Sequence, residues 1–101
     1  MARDKIELSE FLATYGKLLT DKQRDVLSMY CDCDCTLSEI ASEQGISRQG
    51  VRDAIVKSEA SLLQFENALH IVQLTRELNL AIERGAVAEV LDIVKKFVGK
   101  E

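Results

Sequence analysis

Not one proline occurs in the 101 residues, and only five glycines do. Proline costs about 3 kcal/mol inside a helix and glycine about 1 kcal/mol. A chain so poor in both has little to interrupt helices. No β-branched run alternates with polar residues over a useful length, so strand signals are absent. The expectation is an all-α protein of helices joined by short turns. Apolar residues make up 47% of the chain, enough for one core of ordinary size.

The longest apolar stretches are only a few residues, far short of the roughly 20 that a membrane-spanning helix needs. The segment Met1 to Glu10 is charged and lacks the apolar h-region of a secretory signal. Both features predict a cytoplasmic protein with no membrane partner. In that compartment Cys31, Cys33 and Cys35 stay reduced, and an odd number of thiols cannot pair completely within one chain. The formal net charge of −4 predicts that any nucleic-acid binding is weak, salt-sensitive and confined to a local positive edge.

Apolar spacing divides the chain into helices. Leu8, Phe11, Leu12 and Tyr15 fall at i, i+3, i+4 and i+7 in a first helix from about Asp4 to Lys17, with Gly16 marking its end. Thr20 and Gln23 have capping-box spacing at the start of a second helix, whose buried side is Val26, Leu27 and Tyr30. Cys31 to Cys35 reads as a turn. Thr36 and Glu39 repeat the capping box before a short third helix with Leu37, Ile40 and Ala41 inward, and Gly45 supplies the positive φ of its C-cap. Ser47 caps a long fourth helix with a stripe of Val51, Ile55, Leu62, Phe65 and Leu69, interrupted at Ser58. No breaker appears before Gly85, so this helix is expected to run past His70. A last helix, Ala86 to Val98, carries Val87, Val90, Leu91, Val94 and Phe97 or Val98 on one face, with Lys95, Lys96 and Lys100 at its C-terminal end, where cations suit the dipole. The expected division is a helix-turn-helix domain over 1–70, with its motif at 37–57, and a helical extension over 71–101 for packing or dimerisation.

The segment from Leu37 to Ile55 carries the functional signal. A helix-turn-helix needs a small residue where its helices cross, and Ala41 is there. It needs a tight turn four residues later, an apolar plug, and an apolar residue six beyond the glycine. Gly45, Ile46 and Val51 fill these places. The second helix then offers its outer face to a major groove of double-stranded DNA. Arg48, Gln49 and Arg52 are the candidates to read base edges, because arginine matches guanine bidentately and glutamine matches adenine. Ser47 and Lys57 are candidates to hold phosphates. Gly50, taken as lying on the exposed face, would let the helix approach closely. The same residues could also be the solvated surface of a plain helical hairpin.

Leu19–Tyr30, followed by Leu37-Ser-Glu-Ile-Ala41 and Ile46–Arg52, resembles the promoter-reading C-terminal domain of bacterial sigma factors. It more closely resembles the YlxM-like family of small bacterial helix-turn-helix proteins, over roughly residues 5 to 70. The resemblance implies a sigma-like, wingless helix-turn-helix that binds DNA. By position it gives the base-facing role to Arg48, Gln49 and Arg52, and phosphate contacts to Lys22 and Arg24. It also implies an association with the signal recognition particle, whose GTPase and receptor genes neighbour those of the family, so components of that particle are expected partners.

Other features point away from catalysis. Cys31, Cys33 and Cys35 alternate with Asp32 and Asp34, but C-x-C-x-C lacks the two-residue spacer and second ligand pair of a zinc motif, so no metal or other cofactor is expected; the alternative reading is a thiol or metal sensor that uses this turn to tilt the neighbouring motif. His70, the single histidine, has no accompanying nucleophile motif. No glycine-rich phosphate loop occurs. The protein is therefore expected not to be an enzyme. The apolar stripe from Val51 to Val72 can pack within one chain or form a seam between two; a homodimer is expected, because a palindromic site needs two recognition helices about 34 Å apart.

Overall fold

The computed structural model describes residues 3–99. Among these residues there are six α-helices and no strand: α1 (Lys5–Tyr15), α2 (Asp21–Cys31), α3 (Leu37–Gln44), α4 (Arg48–Leu69), α5 (Ile71–Glu83) and α6 (Val87–Phe97). The chain divides into two compact units after Leu69, the first holding α1 to α4 and the second α5 and α6.

Side-chain caps fix where the first helices begin. Asp4 Oδ1 accepts the Glu7 amide at 2.8 Å ahead of α1. Both anticipated capping boxes form. Thr20 Oγ1 accepts the Gln23 amide while Gln23 Oε1 accepts the Thr20 amide, each at 3.2 Å. Thr36 and Glu39 make the same exchange at 3.1 and 2.9 Å. Gly45 ends α3 with φ 66° and ψ 34°, the left-handed region that only glycine enters without a steric penalty.

Three boundaries differ from the sequence expectation. Helix α1 ends at Tyr15 rather than Lys17, and Gly16–Leu18 make a 3₁₀ turn. Gly16 is right-handed (φ −56°) and buried; a Cβ there would lie 3.1 Å from Leu12 Cδ1, so lack of space, not backbone freedom, selects glycine. Cys31 belongs to α2 and not to the following turn, its thiol donating to the Leu27 carbonyl at 3.0 Å. The amides of Cys33 and Cys35 fold back onto the carbonyls of Ser28 and Met29. Finally, α4 does not run past His70. It stops at Leu69, and His70 adopts φ 55° and ψ 30° before α5 starts. Histidine is among the side chains that tolerate this region best.

The core of the first unit is built on α4, which touches α1, α2 and α3. Leu8, Val26, Leu27, Ile40, Val51, Ile55 and Leu62 are fully buried. Each contributes roughly 1.5–3 kcal/mol relative to exposure. Ser58 does not break this stripe as anticipated. It lies wholly within the core, its hydroxyl donating to the Ala54 carbonyl at 2.6 Å. The small side chain is satisfied on its own helix and takes little room at the crossing. Tyr15 stacks obliquely on Phe65, centroids 5.9 Å apart, and its hydroxyl donates to Glu66. Lys5 pairs with Asp34 and sits 4.6 Å over the Tyr30 ring, which ties α1 to the turn after α2. The expected stripe leaves the core at Leu69, which is exposed.

The second unit is an α5–α6 hairpin turned at Gly85, φ 66°. Val72 and Ala81 of α5 are buried; no residue of α6 is. Lys95 and Lys96 occupy the last turn of α6, as anticipated, and Lys100 lies outside the described residues.

Candidate nucleic-acid interface

Helices α3 and α4 meet across a three-residue turn, Gly45-Ile46-Ser47. The left-handed Gly45 lets the Ile46 amide return to the Ala41 carbonyl at 3.0 Å. Ala41 is buried beside this turn, Ile46 is half-buried, and Val51 is fully buried one turn into α4. Ser47 Oγ accepts the Gly50 amide at 2.9 Å, so it caps α4 as the sequence indicates. That contact occupies the hydroxyl with an amide that would otherwise face solvent.

Gly50 departs from expectation. It is half-buried, not on the exposed face. A Cβ there would meet Ser47 Oγ at 3.2 Å and the Ile46 side chain at 3.6 Å. The missing side chain makes room for the cap and the plug of the turn, and not for an approaching groove.

Ser47, Arg48, Gln49, Arg52 and Lys57 are all exposed. Arg48 and Arg52 stand one helical turn apart, and neither makes a hydrogen bond or ion pair among the described residues. Gln49 is different: its Nε2 donates to Asp53 Oδ1 at 3.0 Å. Lys57 continues the Gln49–Asp53 row and lies about 140° around the helix from Arg52, at 100° per residue. The structure thus gathers Arg48, Gln49 and Arg52 on one arc of α4 and sets Lys57 on another flank. On α2, Lys22 is exposed in the first turn. Arg24 is half-exposed and paired with Asp21 at 2.6 Å.

Two neighbours of this arc bear on how it meets bases. Asp53 holds Gln49, a pairing that their i, i+4 spacing signals. Val56, one turn beyond Arg52, is an apolar side chain left 51% exposed; its position off the Val51–Ile55 stripe was the available clue.

The cysteine segment has no such organisation. Burial, with the Asp32 carboxylate beside it, pushes the Cys31 thiol up to about 11. A thiol held protonated is a poor metal ligand and nucleophile. No group of histidine, cysteine and acidic side chains among the described residues is arranged to hold a metal ion.

A capped helix, a glycine turn and a second helix pinned from beneath define this chain as an all-α helix-turn-helix protein. It belongs to the family UPF0122, described as "Putative helix-turn-helix protein, YlxM / p13 like", whose model it matches over residues 2–92. A UPF0122 protein of Clostridium kluyveri is 34% identical over 94% of this chain and 95% of its own length. One from Clostridium botulinum is 40% identical over 69% of this chain and 64% of its own length, so the match spans just under two thirds of that relative. A probable UPF0122 protein of Mycoplasma mycoides is 46% identical over 67% of this chain and 60% of its own. Among the described residues, no helix is long and apolar enough to cross a membrane.

Proposed function

We propose that this protein is a non-catalytic, cytoplasmic regulator that binds double-stranded DNA by laying the N-terminal half of α4 in a major groove. The observation that carries the proposal is the pair of exposed guanidinium groups, Arg48 and Arg52, on a helix whose opposite side is locked into the core by Val51 and Ile55. The backbone that carries them is held by the core, and among the described residues no partner has to be displaced before they meet a base edge. Gln49 reads an adjacent base after exchanging Asp53 for it. Ser47, Lys57, Lys22 and Arg24 hold phosphates along the flanks, with the Arg24 contact weakened by Asp21.

Fluorescence-anisotropy titration with a random-sequence duplex, followed by selection of preferred duplexes from a random pool, tests this directly. Arg52→Ala should lower affinity for the selected site by about 1–3 kcal/mol and relax preference at one base pair. Lys57→Ala should flatten the log–log salt slope by roughly one unit without changing preference. A chain that binds no duplex at low salt overturns the proposal.

The net charge of −4 favours a second reading, in which the same hairpin meets protein or RNA of the signal recognition particle. Titration with the particle's RNA beside the duplex separates the two.

A further inference from the structure

The second unit carries a face that its own two helices leave uncovered. Val87, Leu91 and Val94 of α6 and Val98 at its C-cap follow one another at steps of four, three and four, and are 71%, 53%, 41% and 55% exposed. Phe97, beside them, is 60% exposed. A groove of about 280 Å³ opens at the other end of the same helix, lined by Ala81, Ile82, Gly85, Ala86, Val87 and Val90. Every one of those lining residues is apolar or glycine. An apolar cavity of roughly 150 Å³ already accepts a benzene ring, so the groove has room for a phenyl side chain.

We propose that α6 is a homodimerisation helix that pairs antiparallel with α6 of a second copy, seating Phe97 of each chain in the groove of the other. Three observations select a second copy as occupant. First, the 4-3-4 spacing reads the same in both directions, so a two-fold axis near Asp92 and Ile93 sets Val87 over Val98 and Leu91 over Val94. A two-fold interface demands this kind of self-complementary surface. Second, the knob and the hole lie at opposite ends of one helix, so antiparallel pairing fills both holes at once. Third, five large apolar side chains on each copy, 41% to 71% exposed, would leave water together when two such faces meet. The hairpin also needs the cover, since chains below roughly 40 residues seldom hold a fold without added support. The dimer seam is thereby assigned to α6 and not to the α4 stripe, whose Val51, Ile55 and Leu62 are already buried in the first unit.

The proposal stands apart from the DNA reading. Sedimentation velocity of the full chain from low to high micromolar concentration should show a reversible monomer–dimer equilibrium. Phe97→Ala should weaken it by more than about tenfold while far-UV circular dichroism is unchanged. Ala86→Phe, which fills the groove, should weaken it likewise. Orientation is read by cross-linking with Cys31, Cys33 and Cys35 replaced by serine. In that background, Val87→Cys and Val98→Cys chains should form mixed disulfides on mixing, and neither should cross-link with itself. A strict monomer at every concentration overturns the proposal. So does a dimer indifferent to both groove variants, or one in which Val87→Cys cross-links with itself.

Discussion

At the scale of single residues, the informative contacts are those that tie up a side chain with an apparent task. Asp53 places a carboxylate on the face that would meet a polyanion and draws the Gln49 amide toward itself. Asp53→Ala removes both effects, so duplex affinity should rise severalfold, with Gln49→Ala becoming more damaging in that background; anisotropy titration of the double-mutant cycle checks this. Cys31 offers a second case. Its thiol donates to Leu27 and titrates near 11 because the site is partly buried and next to Asp32. Only the thiolate attacks, so Cys31 should react with a thiol reagent at neutral pH well after the exposed Cys33, as peptide mapping of partially labelled protein would show. Because the raised value favours the protonated form in the fold, its contribution to stability is present below the ordinary cysteine pKa and fades as pH climbs through about 11. Neither pairing is visible in composition. Spacing exposes the first, whereas the second depends on which side of α2 turns inward at its last residue.

At the scale of elements, what the chain spells out locally it also forms. The two capping boxes, the Gly45 C-cap and the Ser47 cap all follow from side chains within four residues of the groups they satisfy. The division at His70 does not. No proline or glycine marks it, and a left-handed histidine costs only about as much as a weak hydrogen bond is worth, so propensity along 48–83 reads as continuous helix. Substituting the residue that bears this conformation without penalty has a clear sign. His70→Gly should raise stability by up to about 1 kcal/mol in urea denaturation, since the fold already holds φ at 55°. Gly50 is half-buried for a related reason. The periodicity that places it outward ignores Ile46, which rises from the turn to cover it.

At the scale of the whole molecule, burial is unequal between the two units. Among the described residues, all the buried apolar side chains except Val72 and Ala81 lie before residue 70. A chain ended after Leu69 should therefore stay helical and melt cooperatively at any concentration, and the separate 70–101 hairpin should do so only at concentrations where it dimerises; circular dichroism against temperature measures both. The amphipathic pattern of α6 was plain in the sequence, yet periodicity tells only that a face is apolar and not what comes to rest on it. That is why the core of the first unit could be named residue by residue while the use of the last helix awaited its exposure.

The connections between successive helices are between one and five residues long. Closing such short segments forfeits little chain entropy, and helix-rich topologies of this kind reach the native state in microseconds to milliseconds. With no proline anywhere, the minute-long wait for peptide-bond isomerisation has no place to occur. A newly made copy is thus open to proteases for only a brief interval.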